Sequence, residues 1–499
     1  MYTHVVLLAS LIVSFGRVES TVIESVQGRA AASAVCSRIE DSISSVSGVY
    51  YPGHPLYSKA ISHWASSSSQ DSDCSVEPGS VEDLGVILQI VGSTRTPFAI
   101  KGNGRSTNPG FSSTSGVTIA MYRFSEISYD ATSQTVKLGA GLNWDSVYEA
   151  LAPYEVNVVG GVSTGSGVAG VVLNGGMVFC RLSDRSLTSN YRAGYSWLTN
   201  QYGLTADTVI EFGLVKPDGN MVNVTESSDP DLFFALKGGL NNFGVVTHLT
   251  LKAFPQAQVW GGLLLYTSGH LEEVTAAVAK FTSTVTDPKA NILTSYNSIL
   301  GITTVSQLLF YDAPIPPAGM FDDFLAIPSL FKDVKAREFL DMFYVTPDNA
   351  TAGNRAMDNV VPLLKMSRPV LDTIVNETNF WGSQLALKSE VILSYAVATF
   401  RIPSTSTSIY LPFHLYYGWI LETFDDEYHD ALRETTRRIT EAALADGQAG
   451  VDTAALYPGY AIFDTPPERI WGGNLERLRK VKKRVDPKDV MGLTGGYKV

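Results

Sequence analysis

Three glycine-dense segments constrain this chain more than any other feature. They are residues 101–113 (KGNGRSTNPGFSS), 160–176 (GGVSTGSGVAGVVLNGG) and 238–244 (GGLNNFG). A glycine has no Cβ, so its backbone can approach another backbone or a ligand closely. Small polar residues after a strand also present consecutive N–H groups to an anion. All three segments lie where strand-like and helix-like runs alternate, from about residue 75 to 257. The runs PFAIK, GVTIAM, ISYD, TVKLGAG, VNVVGG, DTVIEFGLV and FGVVTHLTLKAF read as strands. NWDSVYEALAPY and DPDLFFALKGG read as short helices, the second with Pro230 in its first turn. In SVEDLGVILQIV, Ser80 and Asp83 have capping-box spacing, and Leu84, Ile87, Leu88 and Val91 fall on one face. Glycine backbone packed along an extended, phosphate-bearing cofactor is the arrangement these segments suggest.

Two familiar patterns in the second segment do not hold up. Gly165 to Gly170 (GSGVAG) matches a dinucleotide fingerprint, but VVLNGG follows, which does not read as a helix opening. Gly161 to Gly165 (GVSTG) matches a nucleophile elbow, which needs the same missing helix. Nicotinamide binding and serine hydrolysis are therefore not expected. The seven histidines are scattered and no C-x-x-C occurs, so no metal site is expected.

The formal net charge is −12, and RLRKVKK is the longest basic run, which argues against a nucleic-acid partner. Val5 to Phe15 is an apolar run of signal-peptide length, with small residues Val18 and Ser20 ahead of a cleavage point. Residues 1–20 are expected to be a secretory signal, and no later segment is long and apolar enough to span a membrane. Sequons at Asn223, Asn349 and Asn376 agree with secretion. Residues 21–74 form the N-terminal part of the first domain, where Cys36 and Cys74 are expected to close a disulfide loop. Cys180 is left over.

From residue 258 to about 450 the texture changes. Long helical stretches (LEEVTAAVAKFTSTV, EYHDALRETTRRITEAALAD) separate the strand-like runs TTVSQLLFYD, EVILSYAVATF and STSIYLPFHLYYGWI. A sheet with helices over one face is expected, as a wall for an organic substrate. In residues 451–499, Asn474 stands where it could cap a helix whose Leu475, Leu478 and Val481 share one face.

Together PFAIKGNGRSTNPGFSSTSGVTIAM, LGAGLNWDSVYEAL, VVGGVSTGSGVAG, GYSWLTNQYGLTADTV, DPDLFFALKGGLNNFGVVT and NLERLRKVKKRVDPKDVMGLTGG resemble the secreted fungal FAD-linked oxidases of the berberine-bridge-enzyme-like group, within the vanillyl-alcohol-oxidase superfamily. The motifs come in the right order from about residue 36 to the C-terminus. The resemblance implies an α+β fold. It comprises a PCMH-type FAD domain of two subdomains (75–257), a substrate domain with a large antiparallel sheet covered by helices (258–450), and a tail (451–499) returning to the flavin. By position, Lys101, Gly102, Asn103, Gly104, Arg105 and Ser106 would form the pyrophosphate loop. Gly160, Gly161, Gly165, Gly167 and Gly170 would pack along the dinucleotide. Gly203, Asp207 and Val245 would line FAD, and Asn474 would approach the isoalloxazine. The implied chemistry is hydride transfer from a small organic substrate (alcohol, sugar or secondary-metabolite intermediate) to flavin, with dioxygen as acceptor.

Two departures stand out. Arg105 replaces the usual histidine that bonds covalently to the flavin, and a guanidinium is a poor nucleophile, so FAD is expected to be non-covalent. The second glycine segment also lacks the cysteine that many relatives use as another tether. In YPGYA, Gly459 replaces a common asparagine, while Tyr457 and Tyr460 remain as candidate bases. A phenol with a pKa of about 10 needs a relay or a nearby cation for that role. These departures also leave room for a flavin-binding relative that has lost activity.

Relatives run from Leu-x-Gly-Gly directly into Tyr-Ser-Trp. Here residues 177–194 separate Gly176 from Tyr195. Codons for Gly-Met at one end and Ala-Gly at the other can form a 5′ and a 3′ splice site, so these 18 residues are read as a retained intron.

Overall fold

The computed structural model describes residues 34–177, 191–345, 351–386, 388, 392–398 and 410–499. The expected signal, Asn349, Cys180 and most of the interruption lie outside them.

The glycine-rich half contains two sheets. The first runs in the order Gly48–Tyr50, Cys74–Glu77, Val117–Ala120, Phe98–Lys101, with its last three strands parallel. The second is antiparallel, in the order Met221–Val224, Val209–Val215, Val245–Lys252, Thr135–Gly139, Ile127–Asp130. Helix Val81–Thr94 buries Leu84, Ile87, Leu88 and Val91. Ser80 accepts from the Asp83 N–H at 3.1 Å, but the box is not reciprocal. The Asp83 carboxylate turns to Ser44 and Ser47 instead and ties the helix to the preceding loop. Asn143 and Asp229 cap Trp144–Leu151 and Pro230–Leu236. Cys36 and Cys74 form a disulfide between the first described helix, 34–42, and strand Cys74–Glu77.

One local expectation is corrected. GSGVAG does open into a helix, Val168–Leu173. Burial of Val168 and Val172 against the first core outweighs the weak helix preference of β-branched residues. The helix has only six residues, and the short strand before it, Val156–Asn157, pairs antiparallel with Phe254–Pro255. That is not the parallel βαβ unit a nicotinamide fingerprint needs.

The second half is one seven-stranded antiparallel sheet. Its order is Phe331–Arg337, Val259–Thr267, Ile302–Tyr311, Ala290–Ile299, Ile392–Ala398, Leu411–Trp419, Arg355–Leu363. Helices Leu271–Thr284, Arg368–Ala386 and Asp425–Ala445 cover one face. Strand alternation divides the side chains between two cores. Val305 and Leu309 pack with the helices, while Leu308 and Phe310 pack with Trp197 and Phe339 of the core shared with the glycine-rich half. Both faces are therefore buried, and the sheet is held between its helices and the other half. The α+β architecture with a large helix-covered antiparallel sheet is as expected.

The C-terminal segment closes the structure. Helix Leu475–Val485 lies against Pro230–Leu236, where Arg477 stacks on Phe234 and pairs with Asp231, and Arg484 forks onto Asp229. Leu475, Leu478 and Val481 are buried as expected. Asn474 stands at the N-cap position without a capping side-chain bond, because a 3₁₀ turn, Gly472–Asn474, feeds directly into the helix.

Candidate functional site

Strand Phe98–Lys101 ends in the first glycine loop, and residues 160–167 run beside it. A Cβ placed on Gly167 would lie 3.4 Å from the Asn103 nitrogen. Arg105 Nη2 donates to the Thr164 carbonyl at 2.9 Å, and the guanidinium lies 4.9 Å over the Trp64 ring. The Trp64 backbone N–H donates to the Gly104 carbonyl at 2.9 Å. Gly104 depends on having no Cβ: its φ is +66°, and a Cβ there would meet Lys101 Cε at 2.6 Å.

The two loops share an unusual surplus of donors. Among the described residues, the backbone N–H groups of Gly102, Asn103, Gly104 and Ser106 donate to no protein acceptor, nor do those of Gly160 to Thr164. Unpaired backbone donors are rare in folded proteins unless something else satisfies them. The Asp145 carboxylate at this seam already accepts from the Gly165 N–H at 2.6 Å. A Cβ on Gly102 or Gly165 would touch almost nothing, its nearest neighbours being the Ala140 carbonyl at 3.8 Å and Arg105 Cζ at 4.0 Å. Two N–H-lined loops with space before them and an arginine between them fit a pyrophosphate-bearing dinucleotide.

Lys101 is buried beneath the loop rather than turned toward this space. Its Nζ donates to the Lys59 carbonyl (2.9 Å) and the Tyr122 hydroxyl (2.7 Å). Burial, with the nearby Lys59 charge, lowers its pKa to about 7. His63 falls to about 4 through burial and the adjacent Lys101.

Gly203, with φ +90°, turns the chain so that Asp207 accepts the Leu204 N–H at 3.0 Å. Val245 packs with Val215, Val490 and Met491 in a core of its own half. Asn474 is buried in its 3₁₀ turn, and Gly170 faces open space inside helix Val168–Leu173.

Beside the loops, aromatic groups from three parts of the chain converge. Tyr195 meets Tyr457 edge-on at 5.4 Å, Tyr457 meets Tyr460 at 4.9 Å, and Tyr460 stacks on His414 at 4.0 Å. His414 Nε2 lies 2.8 Å from Asp358 Oδ1, and Thr107 Oγ1 donates to Asp358 Oδ2 at 2.9 Å. Enclosure of the Tyr457 hydroxyl, then the neighbouring Tyr460 and Tyr195, raises its pKa well above the usual 10. Asn108 Nδ2 donates to the Ala461 carbonyl at 2.8 Å, and the Tyr497 hydroxyl donates to the same carbonyl at 2.6 Å. The glycine loop, the sheet and the tail thus meet at one place.

The sequence reading singled out Tyr457 and Tyr460 but missed His414, Asp358, Thr107, Trp64 and Tyr195. The local signal for the pair was one Asp in RAMDNVVPL and one His in LPFHLYYGW, the second a polar residue in an otherwise largely apolar strand.

Residues 72–190 match the FAD binding domain family, and residues 456–494 match the berberine and berberine-like family. The chain carries both segments and resembles the berberine-bridge-like FAD-linked oxidoreductases. It is 34% identical over 286 residues to an uncharacterized FAD-linked oxidoreductase of Arthroderma benhamiae, covering 57% of this chain. It spans about half (53%) of that relative's length. Against the FAD-dependent monooxygenase drtC of Aspergillus calidoustus it is 28% identical over 469 residues, 88% of this chain and 85% of the other. The fold of this chain is shared with the glucooligosaccharide oxidase of Acremonium strictum. The TM-score is 0.73 at 16% identity, covering 93% of this chain and 98% of that one.

Proposed function

We propose that this protein uses FAD to oxidise a small organic substrate by two electrons, with dioxygen as the final acceptor. The observation that carries the reading is the paired set of backbone N–H groups, those of Gly102, Asn103, Gly104 and Ser106 and those of Gly160 to Thr164, that donate to no acceptor among the described residues and lie beside a cluster of three tyrosines and a histidine. When bound, FAD supplies the electron-pair acceptor. The two loops would hold its pyrophosphate, with Arg105 as a charged donor between them. Tyr195, Tyr457, Tyr460 and His414 form a wall against which an alcohol, a sugar or a secondary-metabolite intermediate can lie.

We also propose that the FAD is held non-covalently. The Acremonium strictum enzyme is described by its cysteinyl and histidyl FAD. Here Arg105 stands at the histidine position, already bonded to Thr164 and stacked on Trp64, and no cysteine occurs in residues 160–176. Acid precipitation should leave the yellow colour in the supernatant. Arg105→His, with its nucleophilic ring, should leave some colour in the washed pellet. A wild-type pellet that stays yellow overturns this assignment.

The disulfide, together with exposed sequon residues Asn223 and Asn376, supports passage through the secretory pathway. The function itself is tested by screening sugars and primary alcohols for flavin bleaching without oxygen and for peroxide release in air. Oxygen uptake with matching peroxide supports an oxidase; uptake without peroxide points to the monooxygenation named for several relatives. A colourless purified protein rejects flavin chemistry.

A further inference from the structure

We infer that His414 is the proton acceptor of this site and that Asp358 sets its tautomer. The inference rests on the oxidoreductase reading above and adds the identity of the base, which that reading leaves open.

The geometry begins in the sheet. Asp358 and His414 sit on adjacent antiparallel strands, Arg355–Leu363 and Leu411–Trp419, with Asp358 opposite Tyr416 and His414 opposite Val360. They are diagonal neighbours on one face, within reach of long side chains. That face is not the one packed on the helices, because Met357, Val361, Phe413 and Leu415, at the alternating positions, fill the helix-side core. The Asp358–His414 face instead meets the glycine loop through Thr107, two residues after Arg105, and meets the tail through Tyr460.

An ionised carboxylate only accepts hydrogen bonds. Asp358 Oδ1 therefore requires the proton on His414 Nε2, which leaves the lone pair on Nδ1. Asp358 is held in turn: Thr107 Oγ1 donates to Oδ2 at 2.9 Å and accepts from the Asp358 N–H at 3.3 Å. Nδ1 has no partner among the described residues, and the His414 side chain keeps 23% of its surface exposed. The Tyr460 ring lies at 22° to the imidazole and fixes its plane. A basic nitrogen with an oriented partner behind it and an open position in front is the arrangement of a general base. Tyr457 is a poor rival, because enclosure among tyrosines disfavours its phenolate.

In the step this serves, Nδ1 takes the hydroxyl proton of an alcohol substrate. The C–H hydrogen leaves with its electron pair to the acceptor that FAD supplies. The alcohol becomes a carbonyl and the imidazole an imidazolium, which Asp358 stabilises. Among the described residues, the titratable groups in contact with His414 are Asp358 and Tyr460, with Tyr457 packed against Tyr460.

The FAD-loaded protein carrying ¹⁵N-histidine tests the dyad without any substrate. The expected spectrum has His414 protonated on Nε2 and bare on Nδ1 near neutral pH, and Asp358→Asn should abolish that preference. A His414 signal bare on Nε2, or unchanged in Asp358→Asn, overturns the inference. The second arm follows anaerobic flavin reduction by benzyl alcohol and by cellobiose. His414→Gln should keep its flavin and slow reduction by about 100-fold or more. It should also lose the acid-side fall in rate that a protonating base gives the wild type. His414→Ala should regain part of the rate with added imidazole, and Asp358→Asn should slow reduction by about tenfold or more. A His414→Gln protein that reduces like the wild type overturns the base assignment. If neither probe nor any compound of the panel bleaches the wild type, the oxidation reading fails, while the spectrum still decides the dyad.

Discussion

The glycine-rich half and the sheet half do different kinds of work. In the first, the proposed cofactor contacts are backbone N–H donors of Gly102, Asn103, Gly104, Ser106 and residues 160–164, on loops where Gly104 has a positive φ that a side chain would strain. In the second, the proposed functional groups are side chains, and what matters is which strand lies beside which. A side chain added to the glycine half should therefore damage the fold or the cofactor site directly. A functional side chain exchanged in the sheet half should leave the fold standing. The comparison predicts stiffness near the cofactor and tolerance near the substrate.

The largest effect should come from the brace of the first half. Cys36→Ser with Cys74→Ser opens a covalent link across 38 residues and should cost about 3–4 kcal/mol in the chain-entropy picture. Thermal melts with and without reductant measure it. A double variant as stable as the wild type would show that the glycine half does not depend on its brace.

Next come two glycines in the same half with opposite surroundings. A Cβ on Gly160 would lie 2.3 Å from Trp144 Cε3 and 2.5 Å from the Tyr148 hydroxyl, inside the core. Gly160→Ala should cost about 1–3 kcal/mol by overpacking. Gly102→Ala meets only the Ala140 carbonyl at 3.8 Å, so it should melt near the wild type yet bind FAD more weakly. Fluorescence titration of the apoprotein with FAD reads the second effect. Equal stability losses in the two variants would erase the distinction between packing glycines and cofactor-facing ones.

The smallest effect should follow removal of residues 177–194. Strand Gly175–Met177 pairs with Tyr191–Ala193 in register, Gly175 opposite Ala193, so the two ends of the interruption already lie side by side. Joining Gly176 to Tyr195 should change global stability by about 0.5 kcal/mol or less and leave flavin binding intact. Spliced transcript that still encodes MVFCRLSDRS would reject the intron reading. A deletion variant that fails to fold would show that the segment has become part of the flavin half.

The same division decided how much was legible in the sequence. The two short helices Trp144–Leu151 and Pro230–Leu236 and the disulfide pair leave local or compositional marks, and the structure has them where the sequence predicts. Helix Val168–Leu173 was not expected, because its residues prefer strands in isolation and become helical only where Val168 and Val172 find a core. Asn474 was placed at a helix start correctly, but its capping bond was not formed, since a 3₁₀ turn occupies that approach. Asp358 and His414 could not be paired from sequence, since they stand 56 residues apart on strands whose register is set by the whole sheet.

By itself, the sequence determined where glycine-bared backbone lies open to close approach, the places at which we propose the cofactor binds. Absent side chains and turn geometry are properties of a few consecutive residues. Only the tertiary structure decided which proton acceptor stands next to that cofactor. An imidazole becomes a base with a chosen tautomer only when a carboxylate from another strand, a threonine from the glycine loop and a tyrosine from the tail are brought within hydrogen-bonding or stacking distance. That meeting is a matter of strand register and packing, and no local run of residues encodes it.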